Sequence, residues 1–239
     1  MIEKPGAMQV LVGTSGFSYP AWRGSFYPEK LPETKMLQHY AQQLSAVEIN
    51  NTFYRMPSPE TLARWAGETP PAFRFALKSP RRITHEKKLA DVAPAVERLD
   101  QASRALGDKL GPILFQLPPT MKKDLVRLDE FLASLPKTLR PAVEFRHESW
   151  FGDDVYARLR VHGAALCIAD VEDFSTPFVA TTGWGYLRLR RQDYDQAALV
   201  PWADRVKAQS WTDAYVFFKH EDEGKGPSLA AAFGGMMIG

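Results

Sequence analysis

Short β-branched or aromatic runs alternate with segments of helical period along the 239-residue chain, and this alternation constrains the fold more than any other feature. The strand candidates are Gln9 to Gly13, Ala46 to Asn50, Phe73 to Lys78, Pro112 to Leu117, Ala142 to Arg146, Ala165 to Asp170, Gly185 to Arg190 and Tyr215 to Lys219. Strands joined through helices run parallel, because each crossover returns the chain to the same end of the sheet. This number of β/α units closes into a TIM-like (β/α)8 barrel, which takes roughly 250 residues as one domain. No linker or low-complexity tract breaks the alternation, so the expectation is one barrel domain over 1–239, with 1–8 as an N-terminal tail. Between Asp170 and Trp184 the sequence lacks a helical pattern, which predicts a barrel distorted around its sixth unit.

Helix boundaries are legible in the same stretches. Ser58-Pro59-Glu60 supplies an N-cap hydroxyl, a proline at the first helical position and a carboxylate facing the positive helix end. From Asp91, the residues Val92, Val96, Leu99 and Leu106 recur near the helical period until Gly107 stops it. From Thr120 onward, Leu125, Leu128, Phe131, Leu132 and Leu135 form a second stripe that Pro136 ends. These stripes are packing surfaces, not cofactor sites.

Successive strand side chains face opposite sides of a sheet, so apolar alternation separates residues under the helices from residues inside the barrel. Val47 and Ile49 leave Glu48 and Asn50 on the other face, and Phe73, Phe75 and Leu77 leave Arg74, Ala76 and Lys78. Val143 and Phe145 leave Glu144 and Arg146, and Leu187 and Leu189 leave Tyr186, Arg188 and Arg190. A charge directed at the surrounding helices has neither water nor partners, so the polar set should point inward. Glu48, Asn50, Lys78, Gln116, Glu144, Arg146, Asp170, Arg188 and Arg190 all stand late in their strands, at the end where barrel enzymes carry their active sites. Either a ligand site or a salt-bridged plug fits that arrangement.

The set holds more Lys and Arg than Asp and Glu, which points to a small anionic ligand, phosphate or carboxylate, clamped by guanidinium forks. Glu48 and Glu144 are acid/base candidates. Lys78 is an amine nucleophile if desolvated, although pairing with a neighbouring glutamate is the commoner fate of such a lysine. Glu48, Glu144, Asp170, His147 and His220 could ligate a hard divalent cation, but single ligands from separate strands are a weak signal, and no cofactor or metal is expected. His85-Glu86-Lys87-Lys88-Leu89 lacks the second histidine of a zinc-protease helix, and the lone Cys167 excludes a thiolate zinc site. Gly13-Thr14-Ser15-Gly16 matches neither a P-loop nor a nucleophile elbow and reads as a tight turn. The aromatic stretch from Phe17 to Tyr27 reads as a packed lid or bottom plug rather than a stacking platform. From His220 to Pro227 the chain reads as either a mobile loop over the site or a polar connection.

Thirty Lys and Arg against 28 Asp and Glu leave no overall field to gather nucleic acid or an anionic membrane. Nucleic acid is therefore not an expected partner, and the oligomeric state is open. With one cysteine, no signal-peptide stretch and no run of 18 apolar residues, the expectation is a cytoplasmic protein with no membrane partner.

Five stretches carry a wider likeness: GTSGFSYPAWRGSFYP from Gly13, VEINNTFYRMPS from Val47, FRFALKSPRRITHEKKL from Phe73, GPILFQLPP from Gly111 and AVEFRHESW from Ala142. In this order they resemble the domain of unknown function 72 family, also called YecE-like, from Gly13 to Trp150, with a weaker match to about Phe233. The resemblance implies a TIM-like barrel and no established activity. Its motif positions add Tyr54, His85 and Trp150 to the ligand-binding candidates Asn50, Gln116, Arg146, His147, Asp170 and Arg188. Phe17 stands where many similar sequences have Trp, and Lys219-His220 where many have an Asn pair.

Three function classes follow from these residues. The first is an enzyme, a hydrolase, lyase or isomerase, doing acid/base or hydrolytic chemistry on a small anionic metabolite, with or without a phosphate. The second is a glycoside-cleaving enzyme with Glu48 and Glu144 flanking the bond. The third is a non-catalytic binder of a metabolite or nucleic acid.

Overall fold

The computed structural model describes residues 7–219 and 224–238. Nine strands lie in one sheet: β1 (Gln9–Ser15), β2 (Ala46–Ile49), β3 (Arg74–Lys78), β4 (Leu110–Gln116), β5 (Pro141–Glu144), β6 (Ala165–Val171), β7 (Phe174–Ser175), β8 (Trp184–Leu189) and β9 (Asp213–Phe218). All but β7 run parallel to their neighbours, in the order β5-β4-β3-β2-β1-β9-β8-β6, and pairing of β5 with β6 closes the ring. The helices α1 (Glu33–Gln43), α2 (Pro59–Gly67), α3 (Ala93–Ser103), α4 (Leu125–Ser134) and α5 (Asp153–Val161) follow the first five strands. The helices α6 (Gln196–Lys207) and α7 (Lys225–Met237) follow β8 and β9. The chain thus forms the closed, alternating α/β barrel that its periodicity predicts.

The Ser58 hydroxyl accepts from the Thr61 amide at the start of α2, as its signal predicts. Gly107 does not end α3, which stops at Ser103; it lies in the short turn Arg104–Lys109 that follows, with a positive φ of 55° that a β-carbon disfavours. The α4 stripe starts at Leu125 rather than Thr120, because the Asp124 carboxylate caps the Arg127 amide at 3.0 Å.

The sixth unit carries the expected distortion. No helix follows β6; the chain turns back through β7 and reaches β8 by way of residues 176–183. Thr181 satisfies backbone groups that a helix would otherwise screen, accepting from the Leu166 amide and donating to the Ala164 carbonyl, both at 2.8 Å. Phe178 stacks on Trp211 and leans on Trp202, standing in for the missing apolar stripe.

Strand residues sort into two shells as the alternation requires. Val47, Ile49, Phe75, Leu77, Val143, Phe145, Leu187 and Leu189 pack outward against the helices. Ala46, Ala76, Ala142 and Ala165 face inward, opposite the larger Tyr186, Tyr215 and Phe217, so small residues on one wall make room for aromatic rings from the other. At the lower end, Arg140 lies 4.4 Å over the Trp184 ring and pairs with Asp213 at 2.8 Å. This filling makes the barrel a packed core and confines its chemistry to the strand ends. The strands stop one or two residues sooner than their patterns suggest, at Ile49, Gln116, Glu144, Leu189 and Phe218. Asn50, Arg146 and Arg190 therefore begin loops, with more freedom than ladder positions allow.

Candidate active site

Three buried charges form the floor of the upper end. Arg188, 1% exposed, reaches Glu144 through Nη1 at 2.6 Å and Glu48 through Nη2 at 2.8 Å. Glu48 also accepts from the Ser15 hydroxyl and the Tyr186 phenol, each at 2.6 Å. Glu144 also accepts from Gln116 Nε2 at 2.9 Å and from Arg146 Nε at 2.8 Å. Burial alone would raise both carboxyl pKa values, yet the Arg188 guanidinium and the converging hydrogen bonds hold both below the usual carboxylate range. Both glutamates are ionised at neutral pH and structurally committed. The salt-bridged plug foreseen from sequence is therefore present, as a floor rather than as the whole arrangement.

Above it lie cations with donors to spare. Lys78 does not pair with a carboxylate, contrary to the fate expected for it, because arginines have already taken those of Glu48 and Glu144. Its Nζ donates to Gln116 Oε1 at 2.9 Å and sits 4.2 Å over the Phe53 ring. Burial, followed by the nearby Arg188 charge, pushes its pKa down to about 8, against an upward pull from Glu48 and Glu144. Arg146 uses Nε on Glu144 and makes no other protein hydrogen bond among the described residues. Arg190 makes no side-chain hydrogen bond or ion pair with any described residue, and its pKa is lowered by burial and then by Arg188. Arg146, Arg190 and Glu144 line a cleft of about 440 Å³, whose other walls include Pro119, Val171 and Phe174.

The remaining candidates divide. Gln116 links Lys78 to Glu144 and belongs to the centre. His85 packs edge-on against the Phe53 ring at 4.8 Å, hydrogen bonds with Thr84, and has its pKa lowered by burial and by Lys78. Asn50 is half-buried, and its Oδ1 has no hydrogen-bond partner among the described residues. Asp170 is buried and taken by the Tyr194 hydroxyl. Three further candidates make contacts outside this centre. Trp150 is wholly buried, stacks on Phe145 and donates to the Met121 carbonyl, because its bulk fills the space beneath the loop after β5. His147 caps the short turn at Glu148 by accepting from the Ser149 amide. Tyr54 is 80% exposed, with its ring edge-on to Phe53 at 5.1 Å.

Among the described residues no three His, Cys, Asp or Glu side chains gather as metal ligands; His220 lies outside those residues, as does part of the loop from His220 to Pro227. The Gly13 to Gly16 stretch is a tight turn whose Gly16 amide is spent on the Glu48 carbonyl at 2.8 Å. The aromatic stretch from Phe17 to Tyr27 packs on itself and on His39 and Tyr40 of α1, with Trp22 and Tyr27 each 1% exposed. Ser15 and Phe53 join the site beside Arg190. Alternation from Leu11 would have found Ser15, and inward pairing with Arg188 had already marked Arg190; nothing local marks Phe53.

Comparison with known proteins comes out at family level. The family model described as "Protein of unknown function DUF72" matches residues 11–238. The UPF0759 protein YecE of Escherichia coli K12 is 33% identical over 143 residues, which are 59% of this chain and 50% of that protein. The chain thus spans about half the length of the curated relatives it matches. The crystal structure of a DUF72 family protein from Thermotoga maritima superposes with a TM-score of 0.86 at 29% identity, covering 97% of this chain and all of that one. One from Enterococcus faecalis gives 0.79 at 19% identity, covering 96% of each chain, and speaks to the fold alone. No helix among the described residues is long and apolar enough to cross a membrane.

Proposed function

The chain belongs to the DUF72 family, whose activity is not established, and from that premise we propose that it is an enzyme transferring protons on a small anionic metabolite at the upper end of the barrel. The observation that carries this reading is the surplus of unspent cationic donors beside the cleft. Four cations, Lys78, Arg146, Arg188 and Arg190, stand against two carboxylates, Glu48 and Glu144, which Arg188 and Arg146 pair with; Arg146 and Arg190 line the cleft, and Lys78 reaches Gln116 beside Glu144. Bringing such charges together in a half-buried place is costly unless an anion compensates them. A carboxylate or phosphate held by the Arg146 and Arg190 guanidinium groups supplies that compensation.

Lys78 is the proton carrier in this reading. An amine titrating at about 8 exchanges protons near neutral pH, where Glu48 and Glu144 stay ionised. The glutamates then act as positioning residues that fix Arg188 and Gln116. Glycoside cleavage by Glu48 and Glu144 is disfavoured, since it needs one protonated carboxyl and room for a sugar bond between the pair. The Arg188 guanidinium occupies that space and suppresses protonation of both.

The test is a thermal-melting series at low salt against phosphorylated sugars, carboxylates and nucleotides. An anion present at about 100 times its Kd adds about 2.7 kcal/mol of stability, and Arg190→Ala should abolish that gain. If no anion shifts the wild type, or Arg190→Ala retains the full shift, the reading is wrong.

A further inference from the structure

Lys78 is unusual among buried lysines in what surrounds it. Two carboxylates lie in the same inner layer, yet neither pairs with it; the amine rests on an aromatic face with one hydrogen bond, to a neutral amide oxygen. An ammonium donates three hydrogen bonds, so two of its positions are unspent. The Arg188 and Arg146 guanidinium groups, which reach the same layer from elsewhere in the ring, add repulsion to that deficit, and the neutral amine relieves both. We propose that Lys78 is a carbonyl-condensing nucleophile, which forms a protonated imine with a small aldehyde or 2-oxo compound whose anionic group is held by Arg146 and Arg190. This inference rests on the anion-binding reading above and narrows its substrate class to anionic carbonyl compounds.

The step balances without an external oxidant or reductant. The ammonium gives up one proton, and the nitrogen lone pair forms a C–N bond to the carbonyl carbon while the C=O π pair moves to oxygen, which takes that proton. The nitrogen then gives up a second proton, which regenerates its lone pair; the carbinolamine hydroxyl takes this proton and leaves as water as the lone pair closes the C=N bond. Overall, ammonium plus carbonyl gives protonated imine plus water, and hydrolysis reverses it. His85, packed on the same Phe53 ring and kept neutral by burial and by Lys78, is the base available to carry the proton between these stages. At pH 8 an amine with a pKa of about 8 presents roughly a hundredfold more free base than an ordinary lysine.

The experiment is reductive trapping. The full chain is incubated at pH 8 with pyruvate or with neutral propanal, sodium borohydride is added, and peptide mass spectrometry maps the secondary amines formed. Pyruvate should label Lys78 at least about tenfold above any other lysine. Arg190→Ala should reduce that labelling but leave labelling by propanal unchanged. Lys78→Arg should give no label at this position, and its melting curve shows whether it folds; the site mapping on wild type stands without it. Equal labelling by both probes, indifferent to Arg190→Ala, would support the amine chemistry and sink the anion reading beneath it. A melting shift with pyruvate but no label on Lys78 would overturn the amine chemistry while leaving anion binding intact.

Discussion

At the scale of single residues, Arg188 decides the chemistry of the site by what it removes from it. It ties down both inner carboxylates, and so converts two acid/base candidates into a fixed negative floor. Arg188→Met should destabilise the protein by about 3–5 kcal/mol in a denaturant titration at pH 7, because two buried carboxylates lose their counterion. The same floor sets acid sensitivity. Glu48 and Glu144 have folded pKa values below the unfolded value of about 4.3, so their contribution is fully present above that pH and lost as pH falls through the folded values. Glu144→Gln should therefore flatten the fall in stability below about pH 4.3 relative to wild type. The Lys78 pKa is lowered too, so the slope has the same sign, but at neutral pH this group is a cost to the fold rather than a gain. Between about pH 8 and the unfolded value of about 10.4 the unfolded chain binds the extra proton, so stability from this group rises with pH. Denaturation midpoints of wild type minus Lys78→Met should climb across that window; a flat difference would mean the amine is not depressed.

At the scale of elements, register matters more than propensity. A β-carbon on Gly13 would lie 1.8 Å from the Ala46 carbonyl oxygen and 2.9 Å from the Tyr40 hydroxyl. Neither the β2 backbone nor the hydroxyl bonded to Thr14 can retreat cheaply. Gly13→Ala should cost at least about 1–3 kcal/mol by thermal denaturation, and since Ser15 lies two residues on, it should also weaken anion binding. The sixth unit behaves as the weak element. Without a helix over β6, amides of residues 172–183 should exchange with deuterium well before those of β8 and β9, which are paired along six positions. Equal protection of both would show that Thr181 and Phe178 replace the helix fully.

At the scale of the whole molecule, closure of the ring brings distant charges into one layer. Glu48 and Arg188 are 140 positions apart in the chain, and Glu144 and Arg188 are 44 apart. Alternation within each strand was enough to say that these side chains point inward and stand at the upper end, because pleat geometry is local. The eight strands, the missing sixth helix and the inward charges were likewise legible in the sequence, since each depends on short-range periodicity or its absence. Pairing is a different matter. Which guanidinium takes which carboxylate depends on strand tilt, stagger and the aromatic filling beneath, none of which a single strand carries. The expected partner of Lys78 was lost for this reason, as was the role of Trp150, whose position in a loop motif says nothing of the cavity it fills. By itself, then, the sequence determined the barrel and its polar end through local periodicity. Only the tertiary structure decided which charges are spent on one another and which remain for a ligand, because that choice is made across the closed ring.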